Sequence, residues 1–183
     1  KRSRPKYDQE KDHINANSCK KDHPRSKDQT GGVFVVRCAK HGVCVGFHVV
    51  QNTESVNDPF SVFYCFWKEA PKLIVYDNCC HLHQYSIKRE GDYFKNTIFV
   101  IDQFHISNHV GCSQAYNINK YFNSNQIYAN IKDQICEQRN KIHNRIKLQA
   151  SYANLDTFML LNRMVLGIDN IIMQKKMEKN INF

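Results

Sequence analysis

The sequence is poor in the residues that mark fibrous and linker proteins, and it has no long apolar run. Its 7 Gly and 4 Pro exclude a collagen-like chain and flexible linker material. The longest apolar runs, such as Val33–Val36 and Ile98–Ile101, are only as long as a strand, so we expect no membrane-spanning segment. No charged-then-apolar leader opens the chain, so no secretory signal is expected. No internal repeat, helix-turn-helix or standard zinc finger is recognisable, so the sequence reveals no domain that reads DNA sequence.

The chain nevertheless contains enough apolar material for a folded core. Hydrophobic residues occupy 42% and aromatic residues 11% of the 183 positions, which excludes a wholly disordered protein. This length predicts one domain with tails. The first residue is Lys1 and not Met, so we expect the chain to be a fragment of a longer protein.

Charge and cysteine content suggest a class of partner and a compartment. The 26 Lys and Arg against 17 Asp and Glu give a formal net charge of +9, which favours an anionic partner such as nucleic acid. An ordinary solvated surface explains the same excess equally well. The 8 Cys do not indicate a disulfide scaffold, because Cys65 and Cys136 lie in apolar helix-like patterns and Cys79 and Cys80 are adjacent. Reduced thiols in a nuclear or cytosolic compartment, some of them metal ligands, fit better.

The order of apolar patterns predicts an α/β fold. Residues 1–30 carry nine basic and five acidic side chains and almost no apolar ones, which indicates a basic, largely disordered arm. Residues 31–170 are expected to form one domain, a mixed sheet flanked by helices with a helical C-terminal part, followed by a tail at 171–183. Strands are expected in one sheet at 33–38, 43–50, 72–76 and 97–101, the last two parallel. Helices are expected at 58–69, between the last two strands, at 131–149 and at 155–177.

Each of the two strands predicted to be buried is followed by an aspartate. Asp77 follows the strand at 72–76 and Asp102 follows the strand at 97–101. The carboxyl ends of strands are where α/β sheets bind ligands, and carboxylate oxygens are what Mg²⁺ prefers. The alternative is that each aspartate only caps the segment that follows it.

Histidines and cysteines form a second candidate site. His105, His109 and Cys112 have a spacing that allows them to reach one zinc ion, and Cys79 or Cys80 would complete a tetrahedron. The alternative is a pair of buried, hydrogen-bonded histidines. A weaker candidate set joins two further Cys-His pairs, Cys19 with His23 and Cys38 with His41.

Five blocks along the chain together resemble a known protein family. They are Thr30–Cys44, Tyr76–Leu82 followed by Lys88–Glu90, Asp102–Cys112, Ala115–Asn117 and Glu137–Asn140. In this order the blocks are similar to those of the Kyakuja–Dileera–Zisupton (KDZ) transposases, over about residues 30–165. The resemblance implies a nuclear protein with an RNase H-like fold, in which three carboxylates hold two Mg²⁺ or Mn²⁺ ions for cleavage and transfer of DNA strands.

The resemblance also implies roles for individual residues. Asp77 matches the second catalytic aspartate in the family's Tyr-Asp-x-x-Cys block, and Glu137 matches the final glutamate of its Glu-Gln-x-Asn block. The first catalytic aspartate belongs on an earlier strand, which is not recognisable in this chain. We expect Asp77 and Glu137 to approach each other, with Asp102 as the nearest further acid. Periodicity favours the opposite for Glu137, because it groups this residue on a helix face that is typically solvated.

Three functional hypotheses follow. The first is a transposase-like protein that is inactive as this fragment or as a domesticated copy. The second is a non-catalytic protein on the same fold that binds nucleic acid through the basic arm and through Lys141, Arg145 and Lys147. The third is a zinc-stabilised interaction module without a DNA role.

Overall fold

A computed structural model describes residues 32–50, 54–109, 111–122, 131–132 and 134–181. The predicted basic arm, with Cys19 and His23, lies outside these residues. The strands are β1 (Gly32–Arg37), β2 (Cys44–Val50), β3 (Leu73–Val75) and β4 (Ile98–Val100). The α-helices are α1 (Asn57–Phe66), α2 (Cys79–Phe94), α3 (Asn119–Phe122), α4 (Ile135–His143), α5 (Lys147–Ser151) and α6 (Leu155–Ile181). Two short 3-10 turns lie at Ile106–Asn108 and Gln114–Tyr116.

The described part of the chain divides into two compact units. One comprises the described residues of 26–51 and 130–183, and we call it the hairpin unit; the other comprises the described residues of 52–129, and we call it the parallel unit. The hairpin unit contains β1, β2 and α4 to α6. The parallel unit contains α1, β3, α2, β4 and α3.

In the hairpin unit, β1 and β2 form an antiparallel pair whose register shifts between Val36 and Arg37. The turn that joins them ends at Gly42, which has a φ of +74°. A side chain there would be strained, and a Cβ atom would lie 2.9 Å from Ile135 of α4. Helix α6 also binds the hairpin, because the side-chain amide of Asn170 accepts from the Cys44 N–H at 2.7 Å and donates to the Cys44 carbonyl at 2.9 Å.

A buried ion cluster joins the helices of this unit to β1. Asp169 of α6 accepts from Arg37 of β1 at 2.7 Å, and neither side chain has any exposed surface. Arg139 of α4 forms an ion pair with the same carboxylate. Burial lowers the pKa of the Arg37 guanidinium, and burial followed by the neighbouring Arg37 charge lowers the pKa of Arg139. A single carboxylate therefore offsets two cations that are partly or wholly withdrawn from water.

In the parallel unit, β3 and β4 pair in parallel, with Leu73 opposite Ile98 and Val75 opposite Val100. Helix α2 is the crossover between them, as parallel pairing requires. Its backbone departs from helical geometry at Glu90. The core of the unit is rich in aromatic rings that α1 and α2 bring together, including Phe60, Tyr64, Tyr85, Tyr93 and Phe94. The Tyr93 hydroxyl donates to the carbonyl of Phe63 at 2.9 Å, in the last turn of α1.

The mixed α/β class, the positions of the four strands, the parallel pair and the long C-terminal helix are confirmed. The single sheet is wrong for the described residues, because β1 pairs with β2 and β3 with β4 in two separate two-stranded sheets. The apolar pattern of each strand specifies that it is extended but not which strand lies beside it, so the pattern could not distinguish these arrangements. The RNase H-like sheet implied by the resemblance is therefore not confirmed by the described residues.

The helix expected at 131–149 is also different, since a turn at 144–146 divides it into α4 and α5. Ile146 has a φ of −106° and a ψ of 0°, outside helical values. Ile131, Ile135, Ile142 and Ile146 keep a helical spacing across this turn, so the apolar pattern does not reveal the break between the two helices. None of the helices in the described ranges has both the length and the apolar character needed to cross a membrane.

The buried ion cluster yields a stability prediction. Replacing Asp169 by Asn leaves two guanidinium groups without their carboxylate, so Asp169→Asn should lower the free energy of unfolding by about 3–5 kcal/mol. Glu178→Gln, at an exposed site on the same helix, is the matched control and should change it by less than about 0.5 kcal/mol. Urea unfolding followed by circular dichroism measures both variants. Equal stability of the two variants would contradict this account.

Candidate metal centre

Cys80 belongs to the first turn of α2, directly after β3. Its neighbour Cys79 is fully buried and donates its thiol to the carbonyl of Ile74 at 3.6 Å. Burial, followed by the proximity of Cys80, raises the pKa of the Cys79 thiol well above its usual value. The Cys79 side chain therefore lies in the core, and Cys80 is the cysteine of this pair that lies with the other candidate ligands.

The loop after β4 is organised by Asp102. The carboxylate accepts from the backbone N–H groups of Phe104 and His105, both at 3.0 Å, and contacts His105 Nδ1 at 2.8 Å. These bonds turn the chain into the 3-10 turn at 106–108 and hold His105 beside Asp102. Further along, Gly111 has a φ of +87°, and the Cys112 N–H donates to the His109 carbonyl at 3.3 Å. This second turn brings the side chains of His109 and Cys112 together.

Cys80, His109 and Cys112 form a three-residue cluster. His109 Nδ1 lies 3.6 Å from the Cys80 sulfur and 3.5 Å from the Cys112 sulfur. The ligand atoms of the three residues all lie within 4.8 Å of one another. On a tetrahedral zinc ion, the Zn–S bond is about 2.3 Å long and the Zn–N bond about 2.0 Å. The sulfur and nitrogen atoms of two such ligands are therefore about 3.5 Å apart. The cluster therefore has donor types and separations that suit zinc.

Ordinary hydrogen bonds are the alternative explanation of these distances. A neutral imidazole has one donor and one acceptor nitrogen, so Nδ1 can exchange a single hydrogen with one thiol at a time. Here both thiols approach the same nitrogen atom. A metal ion would bind all three side chains together.

Tyr116 and His83 lie beside this cluster. His83 Nδ1 is 2.9 Å from the Tyr116 hydroxyl, and the His83 ring stacks on Phe99 with centroids 4.7 Å apart. Burial lowers the pKa of His83, which favours its neutral form. Burial and then the neighbouring cysteines, Cys80 foremost, raise the pKa of Tyr116. The Tyr116 carbonyl also accepts from the Ile101 N–H at 2.7 Å, which fixes the later part of the loop along β4.

The predicted carboxylates have different environments. The parallel register places Asp77 and Asp102 beyond the carboxyl ends of β3 and β4, at one edge of the sheet. Asp77 is half-buried, and one of its oxygens accepts from the Asn78 N–H at 2.7 Å. Asp102 is buried, and both of its oxygens are within hydrogen-bond distance of His105 Nδ1. Asp77 is accordingly the carboxylate with more capacity left for a cation.

The remaining predicted site residues lie in the hairpin unit, whereas Asp77 lies in the parallel unit. Glu137 is exposed in the first turn of α4, as the periodicity indicated. Lys141, Arg145 and Lys147 are all exposed, on α4, on the following turn and at the start of α5.

The structure thus unites part of the predicted zinc set. His109 and Cys112 lie together with Cys80, while His105 contacts Asp102 and Cys79 lies in the core. Of the weaker set, Cys38 and His41 are in contact across the hairpin turn, with the sulfur 3.4 Å from Nδ1. All seven cysteines in the described ranges are free thiols.

The sequence does not tell which of the adjacent Cys79 and Cys80 lies near the loop, because this depends on the residue at which α2 begins. Successive helical residues point about 100° apart, so one of the two faces the core while the other faces the loop. The sequence does not indicate that His83 and Tyr116 are in contact, because 32 residues lie between them along the chain. Comparisons with protein-family models, curated proteins and solved structures found no match.

Proposed function

We propose that Cys80, His109 and Cys112 bind one zinc ion, and that the chain is a KDZ transposase-like protein in which this ion stabilises the sheet edge that carries Asp77. The observation that carries the proposal is the approach of both thiols to the same His109 nitrogen, at 3.5 and 3.6 Å. The five sequence blocks support the family assignment, and two of them contain these ligands.

The proposed role of the zinc ion is to cross-link α2 to the loop that follows β4. Cys80 lies in the first turn of α2, and the other two ligands lie in that loop. The zinc ion would add to the hydrogen bond between His83 of α2 and Tyr116 of the loop, whose described residues otherwise form short 3-10 turns and one isolated bridge, Ile101 with Asn117. Binding of a structural zinc ion adds directly to folding free energy. Three protein ligands leave one position for water or another ligand.

The proposed chemistry of the intact protein is metal-dependent cleavage and transfer of DNA strands. Asp77 would hold a Mg²⁺ or Mn²⁺ ion, supported by its position beyond the carboxyl end of β3. Glu137 would be the second carboxylate ligand, on the resemblance alone. Paired ions activate a water molecule and stabilise the departing oxygen of a phosphodiester. The first aspartate of the triad has no recognisable counterpart in the chain, so we propose that this chain is inactive by itself.

A second function, nucleic-acid binding without catalysis, is favoured by the exposed cations of the hairpin unit. Lys141, Arg145 and Lys147 fall within seven consecutive residues and are all exposed to solvent. Contacts of this kind with phosphates give affinity without sequence preference.

The zinc proposal predicts which variants lose metal. Relative to wild type, Cys112→Ser and His109→Gln should each lose about one zinc per chain, because two remaining ligands hold zinc poorly. His105→Gln is the matched control in the same loop and should retain the metal, since His105 contacts Asp102. Elemental analysis of purified protein measures this content. Retention of zinc in Cys112→Ser and in His109→Gln would exclude the cluster as the site.

Binding of duplex DNA should be sensitive to salt. Each phosphate contact contributes about 0.9 to the slope of log K against log salt, so replacing Lys141, Arg145 and Lys147 by Gln should reduce that slope by about 3. A control with the same change in charge replaces the exposed Lys72, Lys88 and Lys95 of the parallel unit by Gln. Fluorescence anisotropy over a range of salt concentrations gives both slopes. Equal slopes for the two triple variants would mean that the predicted residues are not a specific contact surface.

The isolated chain should fail to nick DNA with Mg²⁺ or Mn²⁺. Two carboxylate positions cannot hold the paired ions as three do, and each 1.36 kcal/mol of lost transition-state stabilisation costs tenfold in rate. Relaxation of supercoiled plasmid is a sensitive assay, with Asp77→Ala as the matched background. Nicking by wild type that disappears in Asp77→Ala would refute the inactivity of this chain.

A further inference from the structure

A cavity lies along the edge of β4 that does not pair with β3. Its volume is about 410 Å³, which is in the range of small-molecule binding sites. The lining includes Phe99 of β4, His83 of α2, Ala115 and Tyr116 of the second 3-10 turn, and Tyr121 of α3. The cavity lies beside the candidate metal centre but is lined by none of its three ligands.

Strand β4 turns two backbone groups of one residue towards this edge. The Ile98 N–H donates to the Lys72 carbonyl at 2.9 Å, and the Val100 carbonyl accepts from the Tyr76 N–H at 3.1 Å. These groups of Ile98 and Val100 therefore face β3, so the N–H and C=O of Phe99 between them face the other edge. Phe99 is only 4% exposed, and neither backbone group has a partner among the described residues. Buried backbone groups normally have partners, so these two require a ligand or a water molecule in the cavity.

The edge is open because the loop runs beside β4 at one position only. Ile101, directly after the strand, forms a parallel bridge with Asn117. Just before this bridge, residues 114–116 form a 3-10 turn instead of a strand that would pair with β4. The Tyr121 hydroxyl donates to the Ala115 carbonyl at 3.0 Å, which holds α3 against the turn. The turn and α3 thus form the wall of the cavity opposite β4.

The side chains of the cavity are mostly aromatic and neutral. Among the described residues that line it, none is Lys, Arg, Asp or Glu. A phenol is a stronger acid than a neutral imidazole N–H, so the Tyr116 hydroxyl donates to His83 Nδ1 and the imidazole hydrogen remains on Nε2. The lining therefore favours a flat, uncharged ring that carries hydrogen-bonding atoms on its edge.

We propose that this cavity binds one unpaired nucleobase, an inference that rests on the nucleic-acid role proposed above. The N–H and C=O of Phe99 would bond to an adjacent acceptor and donor on the base, as they would to a residue of a neighbouring strand. All four DNA bases carry such a pair on their Watson–Crick edge, so this contact does not select a sequence. Stacking on aromatic side chains adds affinity that is also tolerant of sequence.

An extended peptide could bond to the same backbone groups by adding a strand to the sheet. Two observations favour the nucleobase. The cavity is lined by aromatic rings, which suit stacking, and the chain has a net charge of +9, which favours an anionic polymer.

Deoxyadenosine tests the cavity separately from phosphate contacts, because it carries a base without a phosphate. We expect its addition to the full chain to shift the Phe99 amide signal in ¹H–¹⁵N NMR spectra, saturating with a Kd of about 1 mM or lower. No saturable shift at Phe99, or shifts confined to residues outside the cavity, would overturn the proposal.

Two pairs of variants test the lining. Ala115→Trp fills the cavity from an exposed position and should weaken binding about tenfold or more, whereas Gln114→Trp, exposed on the same turn but not in the lining, should not. Tyr121→Leu removes a stacking ring and should weaken binding about tenfold. Tyr152→Leu, at an exposed tyrosine of the hairpin unit, is its control. Circular dichroism verifies that each variant is folded, and wild-type affinity in folded Ala115→Trp would overturn the proposal.

A peptide and the basic residues of the hairpin unit are tested in the same way. A capped, uncharged Ala-Val tetrapeptide that shifts the Phe99 amide signal, with no shift from deoxyadenosine, would show that the edge binds a strand and would refute the nucleobase. Binding of deoxyadenosine does not involve phosphate contacts by Lys141, Arg145 and Lys147. Failure of the cavity proposal is therefore distinguishable from failure of the proposed binding of duplex DNA.

Discussion

The parallel pairing of β3 with β4 is the constraint from which the candidate site follows. Three residues of each strand pair in register, and α2 must cross from the end of one strand to the start of the other. The carboxyl ends of both strands therefore open at one edge. That edge receives Asp77 from β3, Asp102 from β4, the first turn of α2 with Cys80, and the loop with His109 and Cys112. A shift of register would separate these groups, because the two segments carrying them start directly from the paired strands.

Neither two-stranded sheet is large enough to be stable by strand pairing alone, and each unit adds another type of interaction. In the hairpin unit, Asp169 binds two arginines while Asn170 bonds both backbone groups of Cys44. In the parallel unit, aromatic rings from α1 and α2 fill the core. The loop after β4 lies at the edge of that core and depends on polar bonds to Asp102. A metal ion bound by Cys80, His109 and Cys112 would hold the same loop at a second point, further along the chain than Asp102.

The strand positions, the parallel pair and most helices were predictable, because each depends on a local pattern of apolar residues. The division into two sheets was not, since strand neighbours are chosen by contacts distant in sequence. For the candidate site, the spacing of His109 and Cys112 was informative, and Cys80 was one of two cysteines considered. His105 was expected in the same ligand set, but its imidazole contacts Asp102, three residues earlier, and a ligand spacing does not reveal such a competing partner.

The central claim is that two thiolates and one imidazole in the parallel unit share a metal ion. X-ray absorption at the zinc edge measures that ligand set directly in the purified chain. Our account predicts one bound zinc whose nearest shell contains two sulfur atoms at about 2.3 Å and one nitrogen at about 2.0 Å. Replacement of Cys80 by Ser should remove this signal. A shell of nitrogen and oxygen atoms only, or a sulfur signal unchanged in Cys80→Ser, would contradict it.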